Sequence, residues 1–279
     1  MGKIATAVRV LESDGLAGIG AVFREKYINA RAQVMKWQQE DNWWLGRLVE
    51  LCGNVVRVDG LSFSVAAPQL MTSQKAQFLQ NRYELPERVA IRQYFDPELP
   101  VVEFGAAIGV VSCLINRKLQ HPKQHVVVEA NPSLMPVLEE NRRRNRCQFT
   151  VLERAVAYGT PEVTFNINRN CFLASNAMAD MPAEAYEQIS VPAITLREII
   201  EAHQFDRCTL ICDIEGGEAD LLRYEGDLIR ERVSTIIMEV HAWTLGQQGY
   251  DDVIKGIRRL GFCEVFSMWS TFVFIKDRA

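Results

Sequence analysis

The chain has 279 residues, 48% hydrophobic and 24% charged. That suits one large globular domain, alone or with a small appendage, and excludes disordered and collagen-like chains. Lysine and arginine number 31 against 35 acids, a net charge of −4, so the basic excess of a general nucleic-acid binder is missing. The longest nearly apolar stretch, Phe104 to Ile115, has 12 residues, short of the roughly 18 that a membrane span needs. The start has no signal-peptide core before Arg9 and Glu12. Seven cysteines without scaffold spacing fit reduced thiols and a cytoplasmic setting.

Residues 1 to about 50 read as helical, with Asn42-Trp43-Trp44-Leu45 as a packed apolar side. Residues 54–65 read as a hairpin turning at Asp59-Gly60. Residues 68–95 read as helical with a break at Pro86. From Pro100 onward the pattern changes. Strands are expected at 100–104, 125–129, 148–152, 208–213 and 233–240, and helices at 108–119, 133–145, 196–204, 217–230 and 250–260. This alternation implies βαβ units and a parallel sheet covered on both faces. Residues 162–167 and 188–194 are extra β segments, and 262–275 reads as a hairpin on the sheet edge. Cys208 and Cys212, about 13 Å apart along a strand, read as core thiols rather than a metal clamp. His121, His125 and His203 have no partner in spacing and read as surface residues. Trp243 and Trp269 read as core.

VVEFGAAIGVVSCLI (101–115) carries the cofactor signal. A buried strand ends in Gly105-Ala106-Ala107-Ile108-Gly109 and opens a helix, which lets backbone approach a ligand. Twenty residues past Gly109 the next strand ends in Glu129, placed to bind ribose hydroxyls. The dinucleotide pattern G-x-G-x-x-G lacks its final glycine here. Glu103, two residues before Gly105, would repel a phosphate and attract an α-ammonium group. S-adenosylmethionine (SAM), with a ribose, no phosphate and an amino-acid tail, suits these acids better than NAD.

These residues resemble the FkbM family of SAM-dependent methyltransferases over roughly residues 80–275. VVEFGAAIG (101–109) is similar to its first motif and VEANP (128–132) to its second-strand motif. VPAITLREII (191–200) resembles its V-P-x-x-T-L stretch, DIEGGE (213–218) its D-[IV]-E-G-x-E signature, and Tyr83-Glu84 its upstream Y-E pair. Ile211 stands where the family often has Lys, and Glu103 and Ala107 where it often has Asp and Asn.

The resemblance implies a Rossmann-like class I methyltransferase sheet. It is mostly parallel, with an antiparallel C-terminal hairpin strand, over residues 96–279. A helical and β-hairpin extension over 1–95 precedes it. The expected cofactor residues are Tyr83, Glu84, Glu103, Gly105, Ala107, Gly109, Glu129, Ala130, Asn131, Arg154, Ala155 and Asp213, with Arg154 and Ala155 near the adenine. In open α/β sheets ligands sit at the carboxyl ends of the strands, which gathers Asp213, Glu239 and His241 as catalytic candidates. His241, two residues past Glu239, is the base suggested by intrinsic pKa. Glu218 reads as a helix-start charge. No metal is expected; the alternative is a divalent-ion site of Asp213, Glu215, Glu239 and His241. Arg142-Arg143-Arg144-Asn145-Arg146 reads as a complement to a helix C-terminus.

The expected activity is methyl transfer from SAM to a hydroxyl of a small molecule, sugar, glycan or natural product. The acceptor is then a small molecule or saccharide, not a nucleic acid. The [DNS]-P-P-[YFW] motif of base-directed enzymes is absent where the chain reads DIEG (213–216). The rivals are a non-catalytic SAM-binding protein and a NAD-dependent oxidoreductase on a similar sheet.

Overall fold

Valine- and isoleucine-rich runs too short for helices form the buried centre of the molecule. The structure, a computed structural model, describes residues 43–168 and 186–277. Most of the helical stretch expected at 1–50 lies outside the described residues. Strands β3 (Val101–Phe104), β4 (His125–Glu129) and β9 (Cys208–Cys212) are buried at every position. With β5 (Thr150–Glu153), β10 (Val233–Glu239), β11 (Phe262–Met268) and β12 (Thr271–Lys276) they form a sheet ordered β11-β12-β10-β9-β3-β4-β5. Strands β5, β4, β3, β9 and β10 run parallel. Strand β12 is antiparallel to both β10 and β11, because a two-residue turn joins it to β11.

The period-two alternation of β3 sorts the two faces. Val102 and Phe104 pack under α6 (Leu196–His203), α7 (Glu218–Arg232) and α8 (Ala242–Arg259). Val101 packs under α3 (Leu85–Tyr94) and α4 (Val110–Asn116). Cys208 and Cys212 are core thiols of the first face. The helix expected at 250–260 begins earlier, at Ala242, and is broken by Gly246 at φ 67.

The hairpin β1 (Val55–Val58) and β2 (Leu61–Ser64) turns at Asp59-Gly60. Two asparagines at the end of α5 (Met135–Arg144) continue its hydrogen bonding. Ser64 N donates to Asn141 Oδ1 at 2.6 Å, and Ser62 N donates to Asn145 Oδ1 at 3.0 Å. Both amides donate back to the same serines' carbonyls. Phe63 and Val65 share one hydrophobic cluster with Ile108, Leu134 and Leu138. The hairpin, α1 (Trp43–Leu51), α2 (Thr72–Leu79) and α3 fall in one compact unit with the sheet. The break expected at Pro86 falls just before it: α2 ends at Leu79, and Pro86 sits in the first turn of α3, where its missing N–H costs nothing. Trp43 and Trp44 are both more than half exposed, not packed.

The extra β segments β6 (Ala155–Val156), β7 (Glu162–Asn168) and β8 (Tyr186–Ile194) form their own sheet, ordered β6-β8-β7. No helix among the described residues is long and apolar enough to cross a membrane.

Candidate cofactor cleft and acidic–histidine cluster

The chain crosses from β5 on one flank of the sheet to β9 on the other. The strand order thus reverses beside β3, where open α/β sheets leave a crevice at the carboxyl ends. A cleft of about 490 Å³ lies there. Gly105, Ala107, Glu129, Ala130, Asn131, Arg154, Ala155 and Asp213 line it, as do Tyr158, Val163 and Phe165. The last three were not expected; Val163 and Phe165 belong to the 162–167 run, whose aromatic residue was the available signal.

The turn after β3 follows from its residues. Gly105 has φ +83, and a Cβ there would lie 1.8 Å from the Asp213 carbonyl oxygen. Only glycine allows β3 and β9 to approach this closely. Gly109, at φ +80, caps α4, and a Cβ there would lie 2.5 Å from Leu138 Cδ1. It serves packing and is not among the residues lining the cleft.

Glu129 is buried and ties two loops together. Its Oε2 accepts from Ala106 N at 3.1 Å and Ala107 N at 2.8 Å, and its Oε1 accepts from Asn131 N at 2.7 Å. Burial raises its pKa, and these N–H groups oppose the rise. Asn131 Nδ2 and Tyr158 Oη are buried without a hydrogen-bond partner. Unmet polar atoms facing a cleft of this size fit a polar ligand.

Glu103 departs from expectation. The alternation of β3 turns it toward α4, where it is 1% exposed. Ser112 Oγ donates to its Oε1 at 2.7 Å, and His125 Nε2 lies 2.9 Å from its Oε2. Glu103 therefore does not face the cleft, and its expected repulsion of a phosphate no longer separates SAM from NAD. His125 is fully buried rather than on the surface. Tyr83 and Glu84 also stand outside the cleft lining. Tyr83 stacks on Phe78 at 4.1 Å, and its hydroxyl and Glu84 Oε2 are buried. Burial raises the pKa of both groups, with the Asp213 charge adding to the shift.

Beside the cleft, Asp213, Glu239 and His241 converge from the ends of β9 and β10. His241 Nε2 lies 3.5 Å from Asp213 Oδ1, 3.4 Å from Glu215 Oε2 and 3.8 Å from Glu239 Oε1. Its Nδ1 lies 3.0 Å from Glu218 Oε1. Glu218 opens α7, as expected, but its side chain is fully buried and holds the imidazole. Ser270 Oγ donates to Glu239 Oε1 at 2.5 Å. Burial disfavours the charged imidazole, but the Glu218 hydrogen bond and the charges of Asp213, Glu215 and Glu239 outweigh it and raise its pKa to about 11. With no other cation beside it, an imidazole so placed favours its protonated form and pairs with these acids. Burial, then the Glu239 charge, raises Asp213 to about 7, with the His241 charge opposing. Trp243 is 57% exposed and meets His241 edge-on at 6.2 Å, so it is not a core residue.

Arg142 and Arg144 pair with Glu139 and Glu140 along α5, which leaves the basic run as helix-end charge.

The strand order, with its next-to-last strand antiparallel and its cleft at the reversal point, defines a Rossmann-like class I methyltransferase fold. Residues 103–263 match the model of the methyltransferase FkbM domain, and the chain belongs to this family. No curated protein sequence matches it. Among solved structures, a precorrin-6y C5,15-methyltransferase from Geobacter metallireducens is 14% identical, with a TM-score of 0.42 over 77% of this chain and 94% of that one. Fibrillarin from Aeropyrum pernix, with natively bound SAM, is 13% identical, with a TM-score of 0.39 over 68% and 73%. An O-methyltransferase from Bacillus cereus, in complex with S-adenosylhomocysteine (SAH), is 14% identical, with a TM-score of 0.36 over 68% and 78%. The family rests on the sequence match and the fold on the strand order.

Proposed function

We propose that the protein is a SAM-dependent O-methyltransferase acting on a hydroxyl of a small molecule or saccharide. The observation that carries this is the junction of two sites. The cleft held by Gly105 and Glu129 is continuous, through Asp213 and Glu215, with the cluster around His241. In this reading Glu129 accepts from a ribose hydroxyl, and Asn131 Nδ2 donates to the adenine. Ala130, Ala155 and Leu134 cover the adenine. Arg154 closes the rim. When bound, SAM supplies a sulfonium methyl group; transfer to an acceptor oxygen forms an O–C bond, breaks an S–C bond, and leaves SAH and the hydroxyl's proton. The chain's part is to hold that hydroxyl beside Asp213 and Glu239 and take up the proton at a carboxylate oxygen. His241 holds these acids in place.

Calorimetry of the full chain with SAM, SAH and NAD⁺ tests the cofactor. Micromolar binding of SAM and SAH is expected, weakened at least tenfold in Glu129→Gln, with no NAD⁺ binding. Binding of NAD⁺ alone would move the protein to the oxidoreductase reading.

A further inference from the structure

The cluster around His241 gathers far more negative charge than one imidazole balances. Four carboxylates, from Asp213, Glu215, Glu218 and Glu239, lie within 4 Å of its two ring nitrogens. Carboxylates this close either take up protons or are joined by a cation of higher charge. The arrangement has order as well as charge. Glu218, fully buried, accepts from Nδ1 and fixes the ring, as carboxylates do behind metal-bound histidines. That aims Nε2 away from Glu218 and toward Asp213, Glu215 and Glu239. His241 is 6% exposed, and its Nε2 faces the three carboxylate oxygens at 3.4–3.8 Å. Asp213 Oδ1 and Glu215 Oε2, which face it, are buried and unpartnered.

The spacing fits one ion. One ligand atom each from Asp213, Glu239 and His241 all lie within 4.8 Å of one another. Ligand atoms about 2.1 Å from a common ion are ~3.0 Å apart when adjacent and ~4.2 Å apart when opposite in an octahedron. The Nε2 separations of 3.5 and 3.8 Å fall between these values.

We infer that Asp213, Glu239 and His241 bind a divalent cation that displaces the Nε2 proton to solvent, with Glu215 beside it and Glu218 orienting the histidine. Two carboxylates and one imidazole, with no thiolate, suit Mn²⁺ or Mg²⁺ over softer ions. The use of the ion rests on the methyl-transfer reading: beside the cleft it holds the acceptor oxygen and lowers its pKa. The binding itself does not rest on that reading.

The test is a titration of the EDTA-treated full chain with MnCl₂, followed by the electron paramagnetic resonance signal of free Mn²⁺. SAH calorimetry in EDTA runs in parallel. One ion per chain is expected. Asp213→Asn and Glu239→Gln weaken binding at least tenfold, Glu218→Gln weakens it roughly tenfold through the histidine, and the exposed Glu140→Gln has no effect. A second readout covers folding. MnCl₂ raises the Tm of the native chain by a few degrees and leaves that of Asp213→Asn unchanged. Mn²⁺ binding by the native chain no tighter than by the Asp213→Asn, Glu239→Gln double variant overturns the cation site. If SAH still binds in EDTA, the methyltransferase reading stands without it; if Mn²⁺ binds and SAH does not, the reverse holds.

Discussion

At the scale of single residues, the cleft depends on two backbone positions with opposite tolerance. Gly105 faces the Asp213 carbonyl across a gap no side chain fits, since its Cβ would lie 1.8 Å from that oxygen. Gly105→Ala must push β3 and β9 apart at the point where the cleft begins. SAM binding is expected to be lost, and soluble yield or Tm to fall sharply; a variant with native Tm and native SAM affinity would contradict the geometry. Ala107 is the converse case. It has φ 47, a left-handed conformation that costs an L-residue roughly 1–2 kcal/mol. Ala107→Gly removes that strain, offset in part by a freer unfolded chain. A net gain of about 0.5–1 kcal/mol, a few degrees in Tm, is expected by thermal unfolding. The family's usual Asn suits this position, because Asn visits this conformation more readily than Ala does.

At the scale of elements, one buried arginine joins the hairpin to the segment that carries Tyr83 and Glu84. Arg88, on α3, is 1% exposed. It donates to Asp59 at the hairpin turn at 2.8 Å, to the Tyr83 carbonyl at 3.0 Å and to Asn81 Oδ1 at 2.5 Å. Arg88→Leu keeps the volume and removes every donor, leaving these acceptors unmet. A loss of about 2–4 kcal/mol is expected, measured by urea unfolding; a loss below 0.5 kcal/mol would show that water replaces the arginine. None of this was legible in the sequence, and the reason is general. Elements follow from local pattern: short β-branched, nearly continuous apolar runs marked β3, β4 and β9, and Asp59-Gly60 marked the hairpin. Partners across the fold do not. Glu103 was legible as a strand acid, but the face it turned to depended on which helix covered β3. His125 lacked a partner in spacing because Glu103 lies beside it on the neighbouring strand. Glu218 was read as a helix-start charge because nothing in DIEGGE tells that His241, from the end of another strand, lands against it. The cleft was readable where backbone chemistry dictates residue type, at Gly105 and Glu129. It was hidden where β7 brings Val163 and Phe165 back over it.

At the scale of the whole molecule, a modest net charge of −4 conceals a concentration of acids at one end of the sheet, and stability there must depend on pH. Glu87, on α3, is buried and placed against the same carboxylates. Burial first, then the charges of Glu239 and Asp213, raise its pKa to about 8, while the hydrogen bond from the Thr271 hydroxyl opposes the rise. The folded value thus lies above the unfolded one, near 4.5. A group shifted this way contributes stability that is complete below about pH 4.5 and is lost as pH rises through 8. Glu87→Gln retains an acceptor for Thr271 and cannot ionise. The variant should match the native chain at pH 4.5 and exceed it at pH 8, by on the order of 1 kcal/mol or more. Thermal unfolding in EDTA, which keeps divalent ions from screening the acids, reads this as a Tm difference that grows between the two pH values. A difference that stays constant would mean that Glu87 ionises like an exposed carboxylate, and that α3 rather than the acids sets the stability of this end of the molecule.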